Sequence, residues 1–255
     1  MLSFINKNLS RRTFRKVPEI TLYFWLIKLL TTAMGESTSD YFVHHFDPVV
    51  VVILAGVCLT IALLWQLIVS KYVTWIYWLA VVMVAVFGTM AADVVHIVLG
   101  VPYLISTIFF ATILATNFII WYKTEHTLSI HSIYIFRREI FYWVAVMATF
   151  ALGTAAGDMS AITLGLGYLS SALLFMGLIA LPAVAYYLFG LNGVVAFWFA
   201  YIVTRPLGAS LADWVGRAPN LGGIGFGTGK ISIILTALIV GLVFYLTVTS
   251  KDIKD

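Results

Sequence analysis

Charged residues are scarce in this chain. Asp, Glu, Lys and Arg make up 10% of its 255 residues, whereas hydrophobic residues make up 62%. Soluble domains contain about 25% charged residues, so a water-soluble fold would have no adequate polar surface here. The composition therefore predicts an integral membrane protein with the lipid bilayer as its main partner. The net charge of +4 does not indicate a nucleic-acid partner, because the basic residues flank apolar runs, where they set membrane topology.

Cysteine and the motifs of catalysis are also missing. The single cysteine, Cys58, excludes an intramolecular disulfide and a thiolate metal site. The sequence has no P-loop, no zinc-protease pattern, no nucleophile motif and no paired helical histidines. We therefore expect that the protein is not an enzyme, a primary pump or a haem protein, and that it has no cofactor. No A-x-A-like cleavage site follows the first apolar run, so that run is expected to be a retained helix.

Eight apolar runs are long enough to cross a bilayer, which requires about 20 mostly apolar residues. We therefore expect an all-α integral membrane fold in which residues 1–255 form a single membrane domain. The predicted helices lie near Ile20–Asp40, Val49–Val69, Tyr72–Asp93, Tyr103–Tyr122, Ile140–Asp158, Tyr168–Phe189, Gly193–Asp213 and Ile231–Val248.

The basic residues alternate between the connections. Eleven lie in the two tails and in the connections after the second and fourth runs, whereas two lie in the other connections. The eleven are Lys7, Arg11, Arg12, Arg15, Lys16, Lys71, Lys123, Arg137, Arg138, Lys251 and Lys254, and the two are Arg217 and Lys230. Because cytoplasmic connections carry the excess of Lys and Arg, we expect both termini to be cytoplasmic.

One pattern occurs four times: an aromatic residue and a tryptophan, a glycine ten positions later, and an aspartate five positions after that. The four copies are Trp25, Gly35 and Asp40; Trp78, Gly88 and Asp93; Trp143, Gly153 and Asp158; and Trp198, Gly208 and Asp213. Chance would give this spacing to roughly 0.2% of tryptophans, so the sequence contains a fixed-period repeat.

Each repeat contains one motif helix followed by one plain apolar helix. The four repeats span approximately residues 18–70, 71–123, 136–190 and 191–250. Because two spans return the chain to its starting side, all motif helices run in the same direction, as in parallel transporter repeats.

Small or β-branched residues occupy the sixth, tenth and fourteenth positions after each motif tryptophan, and so form a stripe along one helix face. In lipid, such stripes let helices approach closely. We therefore expect the motif helices to pack together in the centre, with the plain helices outside. The stripe places four glycines at close contacts between motif helices: Gly35, Gly88, Gly153 and Gly208.

Each motif tryptophan is expected to anchor the helix at the inner membrane interface. The aspartate lies about 22 Å further along the helix, where it should face the protein interior because lipid exposure is costly. Carboxylate oxygens suit Mg²⁺, Ca²⁺ or Mn²⁺. The alternative is that the aspartates only cap helices. The predicted metal or proton site consists of Asp40, Asp93, Asp158, Asp213 and Glu36.

Other polar residues break the symmetry of the repeats. Lys28 and Arg205 lie deeper in their helices, where they either pair with acids or extend to the cytoplasmic interface. Four further residues lie around the predicted outer mouth, and either bind a transition metal or are simply solvated. They are His44, His45, Asp47 and His96.

The segment from Val17 to Asp40, with its Phe24-Trp25 pair, Gly35 and Asp40, resembles the opening of bacterial membrane-anchored proteins built from a short repeat of unknown function. All four repeats are visible, so the resemblance covers nearly the whole chain. It implies a multi-pass protein of the bacterial inner membrane. It implies no activity, so the functional prediction depends on the residues themselves.

The residues favour a cation transporter or channel that uses the repeat aspartates as its ion or proton site. A divalent metal ion such as Mn²⁺ is the favoured substrate, because the candidate ligands are hard oxygens. One alternative is a proton-coupled carrier of a small organic solute, with aromatic side chains lining its pocket. Another is a non-catalytic structural or assembly protein. The oligomeric state is left open.

Overall fold

The computed structural model describes residues 15–253, which contain eight long α-helices and no β-strand. Lys7, Arg11, Arg12 and Lys254, which support the topology prediction, lie outside the described residues. The helices are α1 (Leu22–His45), α2 (Pro48–Ile68), α3 (Thr74–Asp93), α4 (Tyr103–Glu125), α5 (Phe136–Asp158), α6 (Gly167–Phe189), α7 (Gly193–Gly216) and α8 (Thr228–Thr249).

Seven of these helices, α2 to α8, are long and apolar enough to cross a membrane. Helix α1 has a similar length, 24 residues, but is more polar because it contains Lys28, Glu36 and Asp40. The all-helical fold expected from the sequence is confirmed, and its composition is that of a multi-pass membrane protein. The number of apolar spans differs from the predicted eight only at α1.

Local sequence signals set several helix ends. The side chain of Asp47 accepts a hydrogen bond from the backbone of Val50 (3.0 Å) and so caps α2, as aspartate commonly does. Asn192 caps α7 in the same way. Gly190 caps the C-terminal end of α6 with a φ of 67°. Glycine adopts this conformation readily because glycine has no side chain.

The four motif helices α1, α3, α5 and α7 form a closed ring in which each helix packs against two neighbours. The motif glycines lie at these contacts. A methyl group at Gly35 would lie 2.7 Å from Cβ of Ala85 on α3, and one at Gly88 would lie 2.9 Å from Cβ of Phe150 on α5. The ring continues with Gly153 against Arg205 on α7 and Gly208 against Thr32 on α1. The predicted central bundle is therefore confirmed.

The plain helices lie outside the ring. Each packs against the motif helix of the next repeat: α2 against α3, α4 against α5, and α6 against α7. The last helix, α8, packs against α1, so the fourth repeat closes onto the first. In the apolar stretches of the plain helices 17–22% of residues are buried, against 56–67% in α3, α5 and α7, which identifies the motif helices as the interior.

Both ends of the described chain lie at one face of the bundle. The backbone N–H of Glu19 donates to the carbonyl of Asp252 (3.0 Å), and that of Tyr72 donates to the carbonyl of Arg15 (2.8 Å). The segment before α1, the connection after α2 and the segment after α8 are therefore adjacent. The motif aspartates lie at the opposite end of the motif helices.

Helices α3 and α5 end in the same unusual way. Each passes into a turn of π-helix, Val94–Val98 and Met159–Thr163, directly after Asp93 and Asp158. π-helical turns occur frequently at functional sites, and these two turns distinguish the C-terminal ends of α3 and α5 from those of α1 and α7.

Candidate functional site

The structure brings the five predicted site residues together inside the protein. Asp40, Asp158 and Asp213 have 8%, 7% and 2% of their surface exposed, and Asp93 is partly buried. Asp158 interacts electrostatically with Asp93, Asp213 and Glu36, and Asp213 also interacts with Asp40 and Glu36. These five residues form the carboxyl cluster.

Arg217 forms ion pairs with two members of the carboxyl cluster. Its Nη2 lies 3.1 Å from Oδ2 of Asp40, and its Nε donates a hydrogen bond to Oδ1 of Asp213 (2.8 Å). The guanidinium carbon also lies 5.3 Å from the ring centroid of Tyr168. Arg217 therefore connects the first and fourth repeats at the point where the ring closes.

Asp93 and Asp158 have no ion-pair partner among residues 15–253. Oδ2 of Asp93 accepts a long hydrogen bond from Oγ of Ser39 (3.4 Å). Neither side chain caps the π-helical turn that follows it, and the other two motif aspartates lie within their helices. The structure therefore gives no support to the alternative that the aspartates are only caps.

Arg205, on α7, donates hydrogen bonds to the other three motif helices at one side of the carboxyl cluster. It is fully buried on α7, and its Nη2 donates to Oε2 of Glu36 on α1 (2.9 Å). The same nitrogen donates to the hydroxyl of Thr154 on α5 (2.8 Å) and to that of Thr89 on α3. The prediction that Arg205 pairs with an acid is confirmed, because a buried guanidinium requires a counter-charge and several acceptors.

Lys28 behaves differently from both sequence-based interpretations. Only 1% of its surface is exposed, so it does not extend to the cytoplasmic interface. In the part of the chain that the structure describes, its Nζ has no hydrogen-bond partner and pairs with no acid. Instead, Nζ lies 3.9 Å from the ring centroid of Tyr201 and 4.2 Å from that of Phe150. Lys28 is therefore held by the faces of two aromatic rings.

A layer of aromatic side chains follows Lys28 toward the inner face. The hydroxyl groups of Tyr77 and Tyr142 are hydrogen-bonded to each other. The motif tryptophans Trp78, Trp143 and Trp198 are buried in this layer, so the prediction that they anchor the helices at the lipid interface is wrong for these three. Their rings pack against other aromatic rings of the bundle, which buries more apolar surface than a position at the interface would.

The residues around the outer mouth do not form a metal site. Nδ1 of His44, His45 and His96 each contacts a main-chain carbonyl four or five residues away, and Asp47 caps α2. Within residues 15–253, no group of three or more His, Cys, Asp or Glu side chains is arranged to hold a metal ion. That the carboxyl cluster binds a metal therefore stays a prediction.

Two partners of Arg205, the threonines Thr89 and Thr154, were not predicted from the sequence. Thr89 and Thr154 directly follow the motif glycines of the second and third repeats, and Glu36 occupies the same position in the first. The repeat therefore contains a signal for these residues, since equivalent positions on related helices point toward the same axis. Arg217 was also missed, because it was counted only as a base in an outer connection.

These features define a class: a multi-pass helical membrane protein in which four related helix pairs surround a buried, charged centre. The chain matches the family described as Repeat of Unknown Function (DUF347) four times, at residues 23–72, 76–127, 141–191 and 196–252. It therefore belongs to this family, as the resemblance indicated. No curated protein and no solved structure matches the chain.

Proposed function

We propose that this protein is a cation transporter or channel of the bacterial inner membrane. The supporting observation is an imbalance of charge: five carboxyl groups meet near one end of the ring, but among the described residues only Arg205 and Arg217 pair with them. Carboxylates crowded together in a buried site repel one another, and require protons or a bound cation. Buried acids within membrane spans commonly mark ion or proton pathways.

Asp93 and Asp158 are the proposed cation-binding pair. They interact electrostatically with each other, and no arginine within residues 15–253 forms an ion pair with either of them. A divalent cation that keeps several of its waters needs only one or two carboxylates, so the absence of a third ligand in the described residues does not argue against it. Hard oxygen ligands favour Mn²⁺ or Mg²⁺ over softer metals.

The proposed topology has eight spans, with both ends in the cytoplasm. Helix α1 completes the eight because its charged side chains Lys28, Glu36 and Asp40 are buried in the bundle and do not require an aqueous surface. An even number of spans agrees with both described ends lying at one face. The basic residues near this face favour the cytoplasmic side.

A proton-coupled carrier of a small organic solute would use the same carboxyl groups as a proton relay. That alternative expects aromatic side chains to line a pocket that includes the carboxyl groups. Motif aromatics do line two grooves of about 480 and 830 Å³, Trp78 in the first and Trp25 and Phe197 in the second, but both grooves are mostly apolar and neither is lined by a residue of the carboxyl cluster. Such grooves suit lipid tails better than a polar solute, so the cation is the preferred substrate.

The test is to measure Mn²⁺, Mg²⁺ and Ca²⁺ binding to the purified protein, and their uptake into liposomes that contain it. Asp93→Asn and Asp158→Asn should each weaken binding of the preferred ion at least about tenfold, or ~1.4 kcal/mol, because each removes half of the binding charge. Asp47→Asn is the matched control. It changes an exposed acid, and asparagine caps a helix as well as aspartate.

Unchanged binding and uptake in both variants would contradict the proposed site. Uptake of an organic solute driven by a proton gradient, with no stabilisation of the protein by any divalent cation, would support the carrier alternative. A protein that neither binds nor transports in these assays would fit the structural or assembly role.

A further inference from the structure

Lys28 is a buried cation without a counter-charge. Among the described residues, no acceptor lies within hydrogen-bond distance of its Nζ and no acid pairs with it. An ammonium ion buried without an acceptor is costly, whereas a neutral amine is much less so. The ring faces of Tyr201 and Phe150 offset part of that cost. A modest change in nearby charge can therefore decide whether this amine carries a proton.

The nearest charge comes from Arg205. The guanidinium carbon of Arg205 lies 5.3 Å from the ring centroid of Phe150, and Nζ of Lys28 lies 4.2 Å from the same centroid. The two basic groups therefore share one aromatic ring, and Arg205 interacts electrostatically with Lys28. The other titratable group that faces Lys28 from α7 is Tyr201.

Among the described residues, the other helices around Lys28 present no acid that pairs with it. On α3 and α5, the tyrosines Tyr77 and Tyr142 are bonded to each other, Glu139 in the first turn of α5 pairs with Lys16 (2.6 Å), and the acids at the C-terminal ends belong to the carboxyl cluster. On α8, Tyr245 contacts Tyr23 near the inner end and Lys230 lies over the ring of Phe226 near the outer end. Arg205 is thus the charged group through which the rest of the site acts on Lys28.

Glu36 connects the carboxyl cluster to this pair of bases. It forms the ion pair with Arg205 (2.9 Å), and it also interacts electrostatically with Asp93, Asp158 and Asp213. A cation bound in the cluster attracts the negative charge of Glu36. The positive charge of Arg205 is then less compensated, and it disfavours a second positive charge on Lys28.

We propose that Lys28 is the proton-carrying residue of a cation–proton exchanger, an inference that rests on the proposed cation site. When a cation binds in the carboxyl cluster, one N–H bond of the Lys28 ammonium breaks. The electron pair stays on nitrogen, and the proton passes to water. When the cation leaves, the amine takes a proton from water again. Cation and proton therefore move in opposite directions, which excludes an open channel.

The test is the pH dependence of Mn²⁺ affinity, measured on the full-length protein in detergent. By linkage, the slope of log affinity against pH equals the number of protons released per cation. Lys28→Met removes the titrating amine, and Lys28→Arg keeps a charge that is never released. Both should lower the slope by about one proton relative to wild type. Below the pH at which wild-type Lys28 loses its proton, the Lys28→Met variant should bind Mn²⁺ more tightly than the wild-type protein. Above that pH, the Lys28→Arg variant should bind Mn²⁺ more weakly than the wild-type protein.

Lys230→Met is the control, since it makes the same substitution at a lysine that does not face Lys28. A structural role for Lys28 would change the melting temperature and leave the slope unaltered. If Lys28→Arg does not fold, the slope measured for Lys28→Met alone tests the inference. A wild-type slope in the folded Lys28 variants overturns the proton-carrier inference and leaves the cation site intact. Wild-type protein that binds none of Mn²⁺, Mg²⁺ and Ca²⁺ at any pH overturns the proposed function, and this inference with it.

Discussion

At the scale of single residues, the centre of the molecule depends on departures from the repeat. Arg205 occupies a position at which the other repeats have threonine, alanine and phenylalanine: Thr32, Ala85 and Phe150. The Arg205 side chain donates hydrogen bonds to Glu36, Thr89 and Thr154. These three residues occupy equivalent positions after the motif glycines. The sequence predicted that Arg205 could pair with an acid, but it did not predict that the two threonines would accept hydrogen bonds from it.

Arg217 illustrates why part of the site could not be predicted. The apolar run that marks the seventh span was expected to end at Asp213, but α7 continues to Gly216. The additional turn places Arg217 at the C-cap of α7, four residues after Asp213, so that the two side chains meet. Helix ends are the least certain feature of a sequence-based prediction. The ion pair between Arg217 and Asp213 depends on where α7 ends.

The buried ion pair between Glu36 and Arg205 should show strong coupling in thermal unfolding. Arg205→Met alone is expected to cost about 3–5 kcal/mol, because it leaves the carboxylate of Glu36 buried without its partner. The double variant Glu36→Leu/Arg205→Met should recover most of that loss. Unfolding measured in detergent gives the comparison. A double variant as unstable as the sum of the two single variants would show that the pair contributes nothing as a pair.

At the scale of helices, the repeat spacing predicted the arrangement of the interior, but not which plain helix covers which motif helix. The stripe of small residues identifies the face of each motif helix that meets its neighbour, because close approach needs small side chains there. The plain helices are apolar all round, so no face identifies their partner. Their packing against the next repeat became visible only in the structure.

Gly35→Ala should destabilise the protein, because the new Cβ would lie 2.7 Å from Cβ of Ala85 and 2.8 Å from its carbonyl carbon. Overpacking of this kind costs about 1–3 kcal/mol. Gly177→Ala is the matched control in α6, since nothing lies within 4 Å of that position. It should leave stability unchanged or raise it by up to ~1 kcal/mol through helix propensity. Equal melting temperatures for the two variants would contradict the close helix contact.

At the scale of the whole molecule, the closed ring determines the topology. Four repeats of two helices return the chain to its starting face, and the contact between Glu19 and Asp252 holds the two ends together there. The sequence predicted the even number of helices and the shared side of the termini. It did not predict that α8 packs against α1, because the two are the most distant helices along the chain.

Reporter fusions at residue 255 and in the connection between α4 and α5 should both report the cytoplasm. A fusion in the glycine-rich connection before α8 should report the opposite side. These expectations follow from the position of the basic residues and from the shared face of the two described ends. An external reporter at residue 255 would contradict the proposed orientation. Opposite locations for the C-terminus and the connection between α4 and α5 would contradict the closed ring itself.

Closure of the ring also has a consequence for synthesis. Helix α1 is made first, but two of its main neighbours, α7 and α8, are made last. Glu36 meets Arg205 only after a further 169 residues have been added, which takes roughly 10–30 s at ordinary rates of translation. During that interval an acid in the first helix lacks its partner. The nascent first helix must therefore stay beside the insertion machinery, or near water at the bilayer surface, until the final repeat arrives.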